Sequence, residues 1–142
     1  MKSKSDILRD WYARVWEDGD LAAIAEMFRP DTAANGLVPG KAIGVEEFQF
    51  LVTTIQELIE PPRITIEKTI EQDDWLAGFV TMRTRSIDRR HDLHVGGMVM
   101  VRIENDLIVE AYNSFDFISF FEQLELLPEN TIAICLSGER IG

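Results

Sequence analysis

Few side chains in this sequence are placed to do chemistry, and the best placed is Asp116. It stands where a strand-like run, Leu107 to Phe115, gives way to the helical spacing of Phe117 to Leu126. An apolar setting disfavours the charged form of a carboxyl group and raises its pKa. That is the direction a general acid or base working near neutral pH needs. The same position also suits a helix N-cap, whose carboxylate accepts a backbone N–H. Both readings stand at this level, and one side chain could serve both in part.

Strand register decides whether Asp116 has company. Asn105-Asp106 tolerates the positive φ of a tight hairpin between runs Val95 to Ile103 and Leu107 to Phe115. With these two as the loop, the expected partners are Ile103 with Ile108, Val101 with Glu110, Val99 with Tyr112, Gly97 with Ser114, and Val95 with Asp116. Residues directly opposite share a face. The expected pocket floor is therefore apolar, with Val99 in it, and carries Tyr112, Glu110 and Asp116. Arg102, Met100 and Met98 fall on the other face, with Val109, Ala111 and Asn113. A slip of one residue would exchange the faces.

Each polar candidate has a plainer reading beside the functional one. Glu110 is either a second pocket group or a residue reaching solvent, and the second is favoured because burying an unpaired glutamate is costly. Tyr112, and Tyr12 in the first helix, could donate to a ligand oxygen or simply pack with the hydroxyl at a rim. Trp16 lies on the same helical stripe as Tyr12 and is a further candidate for ligand contact, as is Asn35. His91 and His94 have only Asp92 close by in sequence, so no metal site is expected. Cys135 has no neighbouring histidine and reads as a small hydrophobe. Gly96-Gly97 lies within a strand, where it marks a bulge or close approach rather than a phosphate loop.

The elements that must position these residues follow from periodicity. Ile7, Leu8, Trp11 and Val15 recur at helical spacing, with Ser5 as the expected cap and Asp18-Gly19 as the stop. Asp20 is expected to cap a second helix through Leu21, Ile24, Met27 and Phe28, ended by Arg29-Pro30. Residues 31–43 read as irregular and partly extended. A third helix is expected from Val45 to Ile59, ended by Pro61-Pro62. The period then changes to two. A half-buried strand around Ile64, Ile66 and Ile70 is followed by the strand Trp75 to Ser86 and the two hairpin strands. The tail from Glu129 to Ser137 reads as a short helix ended by Gly138, with strand as the alternative. Helices first and four antiparallel strands after give an α+β order.

Composition limits the partners. The chain has 142 residues, which fits a single domain over 1–142. Fourteen Lys and Arg stand against 25 Asp and Glu, a formal net charge of −11. Nucleic acid and anionic membrane surfaces are therefore not expected partners. No run approaches the roughly 20 apolar residues of a spanning helix, and no apolar core of a secretory leader follows the N-terminus. One cysteine cannot form an intrachain disulfide and suits a reducing compartment, so a cytoplasmic protein is expected.

The segment Trp11-Tyr-Ala-Arg-Val-Trp-Glu-Asp-Gly-Asp-Leu21, then Met27-Phe28, Asp106-Leu-Ile-Val-Glu-Ala-Tyr-Asn-Ser-Phe-Asp116 and Phe121-Glu-Gln-Leu124 resembles the nuclear transport factor 2-like superfamily. Within it the chain is most similar to SnoaL-like polyketide cyclases. The resemblance covers a core of about 5–128 and leaves 129–142 as a C-terminal extension. It implies a cone-shaped fold, helices on a curved antiparallel sheet, and a homodimer formed through the sheet. It also implies a pocket for a small apolar molecule, here a carbonyl compound, with no cofactor or metal. Asp116 matches the aspartate that serves such cyclases as general acid/base. Tyr12, Tyr112 or Asn35 would then hydrogen-bond the developing enolate oxygen. Ketosteroid isomerase is a second relative, whose first-helix tyrosine matches Tyr12. Its base falls at about Asn35-Gly36 and its oxyanion-hole aspartate at about Val99, so two of its three groups are missing. Two rival expectations remain. One is a non-catalytic binding protein with the same pocket; the other is a dimerisation module whose pocket is plugged by Trp11, Trp16 and Phe28.

Overall fold

A computed structural model describes residues 2–142. The first helix, α1 (Lys4–Trp11), is capped by Ser3 rather than Ser5. Ser3 Oγ accepts from the Asp6 N–H at 3.1 Å, and the Asp6 carboxylate accepts from the Ser3 N–H at 3.4 Å. This reciprocal box needs a carboxylate three residues after the cap; Ser5 would have put Leu8 there. The chain continues as a π-helical segment, Tyr12–Glu17, before Gly19 turns it at φ +67°. The second helix, α2 (Ala22–Met27), has no side-chain cap; Asp20 instead pairs with Arg14 at 3.3 Å.

α2 ends at Met27, before Arg29-Pro30: Phe28, expected in the helix, is already extended at φ −97°, and the residues beyond it are strand, not irregular chain. The strand β1 (Phe28–Val38) turns at Pro39-Gly40 into β2 (Lys41–Ile43). β1 has little alternation of its own, because its order comes from pairing with a segment far along the chain. Ala33, Ala34 and Asn35 lie opposite Glu110, Ala111 and Tyr112 in a parallel ladder. Helix α3 (Val45–Gln56) stops short of Ile59, which instead bridges to Ser86. Then come β3 (Arg63–Gln72), β4 (Trp75–Arg85), β5 (Asp92–Glu104) and β6 (Leu107–Phe115), followed by α4 (Phe117–Gln123) and α5 (Thr131–Leu136). The sheet has six strands in the order β2-β1-β6-β5-β4-β3, not four, and only the β1–β6 pairing is parallel. β3 is an edge strand and largely exposed, with Ile70 at 75% exposure, rather than half buried. The tail helix forms as expected, with Gly138 just beyond it at φ +86°.

The hairpin corrects the expected register. Asn105 and Asp106 both take positive φ, at 51° and 63°. Glu104 pairs with Leu107 and Ile103 with Ile108, as expected. Val109 is then an extra residue, and Arg102 faces Glu110, Met100 faces Tyr112, and Val99 faces Asn113. The cause is legible in the burial. Ile108 and Val109 are consecutive yet both below 5% exposed. A regular strand alternates its faces, so burying both takes a bulge. Beyond it every residue of β6 changes sides. Asn113 and Phe115 turn toward the helices; Glu110, Tyr112 and Ser114 turn outward.

Apolar residues gather in two clusters between sheet and helices. The larger centres on Trp11, which stacks on Phe28 at 4.8 Å between ring centroids and meets Phe48 edge-on at 5.1 Å. The smaller holds Ile59, Met82, Leu93, Val95 and Phe120. Phe115, Phe117 and Phe121 pack around Phe120 within that smaller cluster.

Candidate functional site

Where the two clusters fail to merge there is a cavity of about 90 Å³. Its wall takes Trp11 and Phe48 from the larger cluster and Met82, Val95 and Phe120 from the smaller. The first helical unit contributes Tyr12 and Trp16, four residues apart and both on the wall. π-helical turns of this kind recur at functional sites, because the added residue re-aims side chains. Gly97 also lines the wall, and a Cβ there would sit 3.1 Å from the Ser114 carbonyl and 3.2 Å from Phe115 Cα. Its lack of a side chain lets the Phe115 strand lie close.

Two side chains with polar heads other than indoles reach this wall, Tyr12 and Asn113. Burial alone pushes the Tyr12 phenol well above its ordinary value, so it is a neutral donor. Among the described residues its hydroxyl has no hydrogen-bond partner, yet it is not sealed off from space. Tyr12 is one of the residues that line the cavity. Asn113 is held in place by β1: its Nδ2 donates to the Asn35 carbonyl at 3.1 Å. Asn35 in turn donates from Nδ2 to the Ala111 carbonyl at 3.2 Å. Gly36, at φ +88°, passes so close that a Cβ would lie 1.9 Å from the Asn113 carbonyl oxygen. Among the described residues the wall bears no carboxylate, imidazole or cation.

A wider cleft of about 670 Å³ adjoins the cavity, bounded by the β1–β2 turn, the end of α3 and α4. Leu37, Leu51, Ile55 and Phe117 border both spaces.

The structure brings together only part of the expected site. Tyr12 and Trp16 line the cavity, and Asn35 lines the cleft with its carboxamide engaged by β6. Val99 faces inward but is packed in the larger cluster, 6% exposed, away from the cavity wall. Glu110 and Tyr112 are on the outer face because of the bulge at Val109. There the Tyr112 hydroxyl donates to Glu110, and Arg102 Nε donates to it at 3.1 Å. These two partners, Tyr112 first, hold the Glu110 carboxyl below its usual range; Glu110 in turn raises the Tyr112 phenol. Tyr112 also stacks with Trp75 at 6.2 Å. Asp116 is exposed and caps α4, accepting the Ser119 N–H at 3.0 Å; it is not on the cavity wall. Trp11 and Phe28 do fill one end of the hollow, as a plugged pocket requires, but the cavity stays open beside them.

The sequence reading missed Asn113, Phe48, Leu51, Ile55 and Phe117. The unbulged register puts Asn113 on the opposite face, and the one signal against it is the adjacent apolar pair Ile108-Val109. The others stand at helical spacing, and periodicity does not tell a core side chain from a cavity wall.

The fold and this wall can be set beside known proteins. No curated protein matches the sequence. The candidate polyketide cyclase IdmH of Streptomyces antibioticus superposes with a TM-score of 0.75 at 20% identity, over 87% of this chain and 99% of that one. A candidate polyketide cyclase of Bacillus cereus gives 0.75 at 16% identity, over 84% and 78%. A protein of ketosteroid isomerase-like fold from Catenulispora acidiphila gives 0.73 at 17%, over 87% and 95%. Likeness at such identities establishes the fold and nothing finer. The sequence profile of SnoaL-like polyketide cyclases, however, matches residues 6–124, from α1 through α4 and so through every element that walls the cavity. The chain therefore belongs to the SnoaL-like polyketide cyclase family.

Proposed function

We propose that this chain binds a small, mostly apolar carbonyl compound in the cavity and holds its oxygen with Tyr12 and Asn113. Tyr12 carries the reading. A phenol on an apolar wall with no partner among the described residues is paired most favourably by a ligand acceptor. Asn113 spends one N–H on Asn35 and keeps a second for the same oxygen. Two neutral donors aimed at one carbonyl oxygen also stabilise negative charge that develops there, the need of a cyclase- or isomerase-type reaction through an enolate. The expected result is that planar apolar ketones raise the melting temperature of the wild type and that Tyr12→Phe weakens binding about 5- to 10-fold, one neutral hydrogen bond's worth. Undiminished binding by Tyr12→Phe would refute the assignment.

Turnover needs a proton acceptor as well, which the wall lacks. Asp116 is flanked in sequence on both sides by wall residues, Phe115 and Phe117. Asparagine caps a helix about as well as aspartate. Asp116→Asn thus removes the acid and keeps the cap. Ligand binding is expected to survive it. A loss of product formation by about 100-fold or more would make Asp116 the acid/base of an enzyme; turnover that persists would leave it as a cap.

The outer face of the sheet exposes Phe79, Met98, Met100 and Tyr112 side by side. We propose that a second copy covers this face in a homodimer. Met98→Asp should shift the sedimentation of the protein from dimer to monomer, and a wild type that sediments as a monomer at high concentration would sink the proposal.

A further inference from the structure

The cavity is small for a complete ligand. Its volume of about 90 Å³ is well below the roughly 300–1,000 Å³ of ordinary ligand pockets. A carbonyl group and its nearest carbons fill it. The adjoining cleft has about 670 Å³, and the two spaces share four side chains: Leu37 from β1, Leu51 and Ile55 one turn apart on α3, and Phe117 from α4. All four are apolar and only partly buried. They sit at the seam between the two core clusters: Leu37 and Leu51 pack on the larger, Ile55 and Phe117 on the smaller. Side chains at such a seam lack tight neighbours on one side, so they can part without disturbing either cluster. Beyond them the cleft wall is again mainly apolar. In a chain of net charge −11 it carries no carboxylate among the described residues, and its one cation, Lys41, is paired with Glu47.

From this we infer that the ligand is elongated. Its carbonyl end lies in the cavity, and an apolar chain passes the neck of Leu37, Leu51, Ile55 and Phe117 into the cleft. The neck and cleft set the selectivity for chain length. This rests on the reading of Tyr12 and Asn113 as the carbonyl contacts, and it narrows the ligand class to chain-bearing carbonyl compounds. The shared side chains make the two spaces one path. The apolar cleft then makes each added methylene favourable, and with its one cation, Lys41, already paired with Glu47, length is left as the discriminating feature.

The test is a series of linear methyl ketones of increasing chain length, with affinity measured by calorimetry on the full chain. Affinity is expected to rise roughly 4-fold per methylene once the chain passes the neck, the gain for burying one CH₂. Ala42→Trp, on an exposed position of the cleft wall, is expected to flatten that slope by filling the cleft. Thr54→Trp, at a separate exposed position of the same wall, serves as a second variant should the first not fold. The slope is read within each protein, so it is independent of the affinity for the shortest ketone. Short ketones that bind with no gain on lengthening overturn the inference and leave the carbonyl site standing. An unchanged slope in both folded tryptophan variants overturns it also. No binding at any length overturns the carbonyl reading together with this one.

Discussion

The protein's two tyrosines stand on opposite sides of one sheet and meet opposite circumstances. Tyr12 lines the hollow between sheet and helices, with burial raising its pKa and no partner for its hydroxyl among the described residues. Tyr112 stands on the outer face, 43% exposed, bonded to Glu110 and stacked on Trp75. Both phenols are shifted upward, one by lack of water and the other by a carboxylate. A shift by itself therefore identifies no site. The unpaired, sheltered hydroxyl is the one with something left to bind. The two sides of the sheet differ in the same way. The inner side is aromatic and closely packed around a gap, and the outer combines exposed apolar side chains with a charged row of Arg29, Glu104, Arg102 and Glu110.

The sharpest way to break this comparison is to truncate one large side chain on each side. Phe48 is 3% exposed and touches Trp11, Trp16 and Phe28. Phe48→Ala should destabilise the fold by about 3–5 kcal/mol in denaturant unfolding. Met98→Ala, at 63% exposure, should change it by less than about 0.5 kcal/mol in the monomer. Equal effects would mean that the inner side is not the core.

Alkaline pH gives the next effect. The Tyr12 phenol titrates higher in the folded protein than in the unfolded chain. Its contribution is therefore complete below the ordinary phenol value of roughly 10 and is lost as pH rises beyond it, because the unfolded chain ionises first. Stability should fall above about pH 10 by up to about 1.4 kcal/mol per pH unit from this one site, and Tyr12→Phe should remove most of that slope. A slope that Tyr12→Phe leaves intact would show the phenol to be well solvated.

The smallest effect belongs to the outer face. Glu110→Gln removes the charge that raises Tyr112, so Tyr112 should titrate at lower pH by phenolate absorbance. The unfolding midpoint should hardly move, since exposed pairs contribute little.

Much of the molecule was legible in the chain itself. Helix α1, the core of α3, the four strands from β3 to β6 and the Asn105-Asp106 turn all follow from local periodicity and turn chemistry. β1 and β2 were not legible, because Pro30, Asn35 and Gly36 give no alternation and the strand exists only against β6. The site was half legible. Tyr12 and Trp16 lie on a helix whose stripe can be read. Every site residue on β6 depended on one bulge, and that bulge moved Glu110 and Tyr112 out and Asn113 in.

The sequence alone determined the layer order, the acidic surface and the apolar stripe that carries Tyr12, since each depends on residues near one another in the chain. Only the tertiary structure decided which face of β6 borders the hollow and that Asp116 spends its carboxylate on a helix end. It also decided that two packed clusters leave a gap between them. Those outcomes turn on how segments from opposite ends of the chain compete for the same buried space, and local pattern does not encode that competition.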